Sequence, residues 1–316
     1  MAEDKENVVI TAGDCSATVI PAFGGKIASL RIGKHELLHA PLNPYGPRNQ
    51  TKGFSEGDAS GWDECLPSVA QCSIATASGP ASVPDHGDLW RVPWHVLETT
   101  GRSVIMRARC FSLPLEVTRS ILLYETSSGW CMQLLYSLTN LASHPTPWSW
   151  AAHPLFICQP GDRIHLPGSV KSLQLEYSRG NRLGSRGDTV AWPLARLADG
   201  LQHNLSQVQA KDSGFAEKLF SGPMREGWAA LERNSIGVRL AARFDPHLTP
   251  YLGLWICYGG WPEGNGPKQV CVALEPSTAP VDSLAETGSW SRTLKPSETV
   301  DWAMELELER IPIPAG

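Results

Sequence analysis

The chain has 316 residues, a formal net charge of −5 and a sequence pI of about 6.0. No basic stripe marks a nucleic-acid partner, and no apolar run reaches the roughly 18 residues that a membrane span needs. The 29 glycines and 25 prolines are too frequent for a helical fold and instead punctuate many short segments.

In chain order, period-two patterns predict strands at residues 17–20, 26–32, 104–111, 115–124, 130–138, 173–177, 238–244, 252–257, 270–274 and 302–308. The last is the clearest. Trp302, Met304, Leu306 and Leu308 alternate with Ala303, Glu305, Glu307 and Glu309, as in a strand with one buried and one wet face. Two stretches, 43–88 and 178–222, show no regular period, and long irregular loops in a compact domain often carry function. The first is rich in Asp, His and Trp and reads as a binding rim. No linker or internal repeat divides the chain, so the expectation is one all-β sandwich over residues 1–316.

The eight cysteines form no Cys-x-x-Cys pair, and most lie in apolar strand-like runs where a free thiol acts as a small hydrophobe. Together with a charged N-terminus lacking an apolar core, they lead us to expect a reduced, cytoplasmic protein. His35-Glu36-Leu37-Leu38-His39 matches the zinc-protease spelling H-E-x-x-H. That motif works only on a helix, where residues four apart lie about 6 Å apart along the axis. This one directly follows a turn expected at Gly33-Lys34, and an extended chain would separate the histidines by about 13 Å. No metal is expected here. Gly259 to Gly266 fits neither phosphate-loop template and reads as a long hairpin or mobile loop, and no Gly-x-Ser-x-Gly elbow is present.

Three other motifs could carry chemistry. Glu275 ends the apolar run 270–274 and is followed by Pro276, which suits either a strand-end salt bridge or a fixed general base. His153, in Trp150-Ala151-Ala152-His153-Pro154-Leu155-Phe156, is either a hydrogen-bonded core histidine or that base's acid partner. His86, in Asp85-His86-Gly87-Asp88-Leu89-Trp90, is either a surface histidine or a ligand for sugar hydroxyls. Twelve tryptophans is a high count, and beyond those in the core, aromatic faces suit the C–H faces of sugar rings.

In this order and spacing, Asp85-His86-Gly87-Asp88-Leu89-Trp90, His153-Pro154-Leu155-Phe156 and Leu274-Glu275-Pro276-Ser277-Thr278-Ala279-Pro280 resemble the aldose 1-epimerase (galactose mutarotase) family over roughly residues 8–310. The resemblance implies a β-supersandwich of two large, mostly antiparallel sheets with an open concave cleft. It implies Glu275 as general base, His153 as general acid and His86 as a substrate-binding histidine, acting on a small-molecule sugar without a cofactor, in a monomer or homodimer. The family's Asn-Arg dipeptide is reversed here as Arg48-Asn49. Its sugar-binding aspartate has no match, leaving Asp63 or Asp88 as stand-ins, with Trp62, Trp90 and Trp255 as further candidates for the groove. Two alternatives stay open: a non-catalytic sugar-binding or sensing protein on the same fold, and an epimerase for a phosphorylated sugar. The second would need clustered cations, for which Arg48, Lys52, Arg91 and Lys218 are the candidates.

Overall fold

The computed structural model describes residues 7–54, 56 and 59–313. Strands make up 51% of it, and among the described residues helix is confined to three-residue 3-10 turns. Two sheets dominate. The larger has eleven strands, in the order Val8–Ala12, Cys15–Ile20, Lys26–Ile32, Trp62–Cys65, Ala151–Ile157, Val270–Ser277, Tyr251–Tyr258, Phe215–Ser221, Ser172–Ser178 and Thr189–Ala191, with His35–Glu36 added beside Lys26–Ile32. The smaller has eight, in the order Arg163–His165, Trp228–Arg233, Val238–Phe244, Thr299–Arg310, Gly129–Asn140, Leu115–Glu125, Ser103–Arg109 and His95–Thr99. Every central pairing is antiparallel.

The sheets face each other across one hydrophobic cluster drawn from residues 10 to 308. Alternation decides what enters it. Trp302, Met304, Leu306 and Leu308 on Thr299–Arg310 point inward, while Glu305 and Glu307 do not. Trp302 stacks on Tyr136 at 5.0 Å between ring centroids. The smaller sheet therefore has one dry and one wet face. The centre of the larger sheet is covered on both faces: Trp62–Cys65 and Phe215–Ser221 are buried at every position.

Both of those strands lie in the stretches that looked irregular in the sequence. Asp63 and Glu64 interrupt one, and Glu217 and Lys218 the other, so neither shows an apolar run or a period. The 43–88 stretch also holds the hairpin Cys72–Thr76 and Gly79–Val83; its residues 55, 57 and 58 lie outside the described residues, as does the charged segment 1–6. The strand expected to stop at Leu274 continues through Glu275 and Pro276 to Ser277. Its neighbours hold it extended and Pro276 is tolerated within it. His35–Glu36 is a strand, not a helix. Glu36 accepts hydrogen bonds from the Leu30, Leu37 and Leu38 amides and the Ser29 hydroxyl, closing a turn.

A buried polar cluster joins the two sheets. Glu64 accepts from Arg119 at 2.9 Å, from the Tyr136 hydroxyl at 2.9 Å and from the Trp150 indole at 2.8 Å. Arg119 and Tyr136 belong to the smaller sheet and Glu64 to the larger. Burial pushes the Glu64 carboxyl up, and these donors oppose that push. Arg119→Met would strand a buried carboxylate, and urea unfolding should show a loss of about 3–5 kcal/mol. Adding Glu64→Leu to that variant should recover most of the loss, because no lone charge is then left behind.

Candidate active site

The floor of the site is a row of facing residues across the larger sheet. Ala151 pairs with Ser277 and Leu155 with Ala273, so His153 lies opposite Glu275. The ladder is open between those two pairs, in the interval that holds Pro154 and Pro276, neither of which has an N–H to donate. His153 also pairs with Asp63, Glu275 with Gly253, and Gly253 with Phe220. The period of two puts this whole row on the face away from the main core. Asp63 is bonded to the Lys26 ammonium one strand further on. On the other side Gly253 leaves a gap. A Cβ there would sit 3.1 Å from Glu275 Oε2 and 3.3 Å from Lys218 Nζ. Through that gap Lys218 reaches Glu275 Oε2, while lying 3.6 Å from Asp282 Oδ1.

Loops build the walls. His86 is held at φ +58°, a conformation non-glycine residues seldom adopt and one that often marks a working site. Its backbone amide donates to Val69 O. At Gly87 a Cβ would meet Leu66 O at 2.2 Å, so the chain can pass there only as glycine. The turn stacks the His86 ring on Phe54 at 3.7 Å and sets it edge-on to His153 at 5.2 Å. His86 Nδ1 lies 3.0 Å from Asp85 Oδ1. Phe54, Tyr177, Trp255 and Trp261 supply aromatic surface to a cleft of about 430 Å³. Trp261 and Glu263 come from the long hairpin connection between Tyr251–Tyr258 and Val270–Ser277 that the Gly-rich segment forms.

His153 Nε2 lies 3.9 Å from Glu275 Oε1, too long for a hydrogen bond but short enough for one substrate group to bridge. Among the described residues, Glu275 Oε1 and His153 Nδ1 are buried with no hydrogen-bond partner. Burial pushes the Glu275 carboxyl up, the Lys218 ammonium pulls it down, and Asp282 adds to the rise. Burial drives the His153 imidazole well below its ordinary value, helped by His86, Lys218 and Lys26. The two groups are thus moved toward each other in proton affinity.

Of the residues singled out from the sequence, His86, His153, Trp255 and Glu275 line the cleft. The others do not. Trp62 points into the main core, because its neighbour Asp63 takes the opposite face. Asp63 is on the right face but buried beside Lys26, one strand away from the opening. Asp88 is buried and accepts from the amides of Phe111 and Ser112 and the Ser112 hydroxyl, so it fixes a loop. Trp90 is buried in a small cluster with Phe54 and Ala59, behind the wall. Among the cations named for a phosphate, Arg91 is committed to the carbonyls of Lys52, Asp85 and Gly87, and Arg48 lies over the rings of Phe23 and Trp90. Lys218 alone of the four lines the cleft, together with Asp85, Glu263, Glu275 and Asp282. Sequence reading did not find Phe54, Tyr177, Trp261, Gln269 or Asp282 as cleft residues. For Lys218 a signal existed: a lysine set between Phe215-Ala216 and Leu219-Phe220.

No protein-family model and no curated protein sequence matches the chain. Solved structures do. The Slr1438 protein from Synechocystis sp. PCC 6803 superposes with a TM-score of 0.71 at 16% identity, over 98% of this chain and 97% of that one. A galactose mutarotase-like protein from Clostridium acetobutylicum gives 0.67 at 16% identity, over 98% and 97%. The GalM/aldose epimerase homologue from C. elegans gives 0.67 at 11% identity, over 98% and 100%. The chain therefore has the galactose mutarotase-like fold.

The depressed His153 makes one direct prediction. In ¹⁵N NMR of the ligand-free protein, this imidazole should be neutral at pH 7 and should gain its proton only below the ordinary histidine range, near pH 6.5. A His153 that titrates at or above that range would contradict the arrangement described here.

Proposed function

We propose that the chain is an aldose 1-epimerase, exchanging the α and β anomers of an uncharged free aldose by acid–base ring opening and closing. The observation that carries the reading is the facing pair itself: Glu275 Oε1 and His153 Nε2, 3.9 Å apart at the floor of an aromatic-walled cleft. The volume of about 430 Å³ lies within the range of small-molecule sites. The carboxylates of Asp85, Glu263, Glu275 and Asp282 outnumber the one lysine in the lining, which favours a neutral sugar over a phosphorylated one.

Anomer exchange needs a proton taken from the C1 hydroxyl and one given to the ring oxygen. The C1–O5 bond opens to the aldehyde, rotation about C1–C2 presents the other carbonyl face, and closure reverses both transfers. The working pair carries one proton. It begins on His153, passes to the ring oxygen, and Glu275 acquires the hydroxyl proton; closure restores the first state. A pair whose two members are brought close in proton affinity suits this reversible cycle. His86, stacked on Phe54 and next to His153, is placed to bind a sugar hydroxyl. In the free cleft the working state is a minority, because burial drives His153 toward its neutral form. Activity should follow a bell-shaped pH profile whose limbs belong to the pair rather than to either residue.

The test is anomer exchange over a panel of aldoses and aldose phosphates, followed by polarimetry or NMR. Glu275→Gln and His153→Asn should each lower kcat by about 10²-fold or more with little change in sugar binding. The double variant should be only slightly worse than the worse single one, because the two act as a unit. His86→Asn should weaken binding first. A wild-type protein that binds an aldose but never speeds its exchange would establish a sugar-binding module instead.

A further inference from the structure

Lys218 stands where the proposed reaction has no assigned use for it. It is 6% exposed, in a strand buried at every position, and its ammonium meets the very carboxylate that the acid–base reading makes the base. A lysine is seldom buried without a partner, and a buried pair is often no more stable than apolar residues of the same volume. Stability alone is therefore a poor reason for its position.

We propose that Lys218 is a positioning residue that keeps Glu275 ionised and correctly turned, and that Gly253 is the gap through which it reaches. This rests on Glu275 being the base. Three observations support it. Glu275 is fully buried, so without a cation beside it the carboxyl would hold a proton and could not take one. Of the groups facing it from the surrounding elements, His86 pulls the carboxyl down less than Lys218 does, and the others do not supply that charge. His153 and His86 come from the neighbouring strand and the 84–88 loop, and His153 is driven toward its neutral form. Cys65, Cys271 and Asp282 add no positive charge, and the Asp282 carboxylate repels. Lastly, the two oxygens of Glu275 are divided. Oε2 takes the lysine, and Oε1 is left bare toward His153 and the cleft.

The geometry ties Gly253 to the same contact. It sits between Phe220 and Glu275 in the cross-sheet row. Lys218 lies two residues from Phe220 on the same face, with its ammonium 5.2 Å from that ring's centroid. A Cβ at 253 would press on both partners at once, 3.1 Å from Oε2 and 3.3 Å from Nζ.

The experiment follows the Glu275 carboxyl directly, by ¹³C NMR of protein labelled at glutamate and assigned by loss of the signal in Glu275→Gln. Lys218→Met should move the Glu275 titration upward by about one pH unit or more. Gly253→Ala retains both charges but crowds their contact, and should move it the same way by less. Removing the cation raises the proton affinity of the base, so the low-pH limb of kcat should shift upward too. Lys218→Met should lose about tenfold or more in kcat at pH 7 and regain part of it as the pH rises. An unchanged Glu275 titration in Lys218→Met overturns the proposal; should that variant not fold, an unchanged titration in Gly253→Ala does so. A parent protein without anomer exchange would remove the epimerase reading, and the titration would still decide whether Lys218 holds Glu275 charged.

Discussion

A carboxylate taken out of water becomes neutral unless positive charge or hydrogen-bond donors replace the lost solvation. The larger sheet faces this problem at several positions, and two of them lie on opposite faces. On the inner face Glu64 is held by Arg119, Tyr136 and Trp150. On the outer face Glu275 is held by Lys218. The first is fully satisfied and joins the two sheets. The second is satisfied on one oxygen only, and the open oxygen is where chemistry can begin.

The alternation of a β-strand makes this division possible in very few residues. Within Trp62–Cys65, Trp62 and Glu64 turn to the core while Asp63 and Cys65 turn to the other face. A one-residue slip would exchange the two sets. The core packing around Trp62 and the Glu64 cluster therefore also fixes where Asp63, and its pairing partner His153, can stand. Mutations deep between the sheets should be felt at the cleft through register and not through contact.

The site is correspondingly split between rigid and loop-borne parts. His153, Glu275, Lys218 and Gly253 are on central strands paired on both sides. The groups that would meet a sugar's outer hydroxyls and faces, His86, Phe54, Trp261 and Glu263, come from connections between strands. In the proposed reaction the acid–base geometry would be set by the sheet, and substrate preference by loops that can vary without disturbing it. The fold itself is shared with solved structures at 11–16% identity.

Sequence alone settled what depends on local pattern. The alternation of Trp302 to Leu308 and the Gly/Pro punctuation determine an all-β sandwich, and the extended reading of His35–Glu36 follows from the turn before it. The residues around His86, His153 and Glu275 left each open between a structural and a functional role, and only the resemblance of their three motifs to the aldose 1-epimerase family pointed to the second. Trp62, Asp63, Asp88 and Trp90 were misplaced because residue type does not say which face of a strand or loop a side chain takes. Two central strands stayed hidden because Asp63, Glu64, Glu217 and Lys218 interrupt their apolar pattern. What only the tertiary structure decided is the partnership of Lys218, Gly253 and Glu275. They lie on three different strands, and a glycine's role as a gap exists only once the strands on either side are in register.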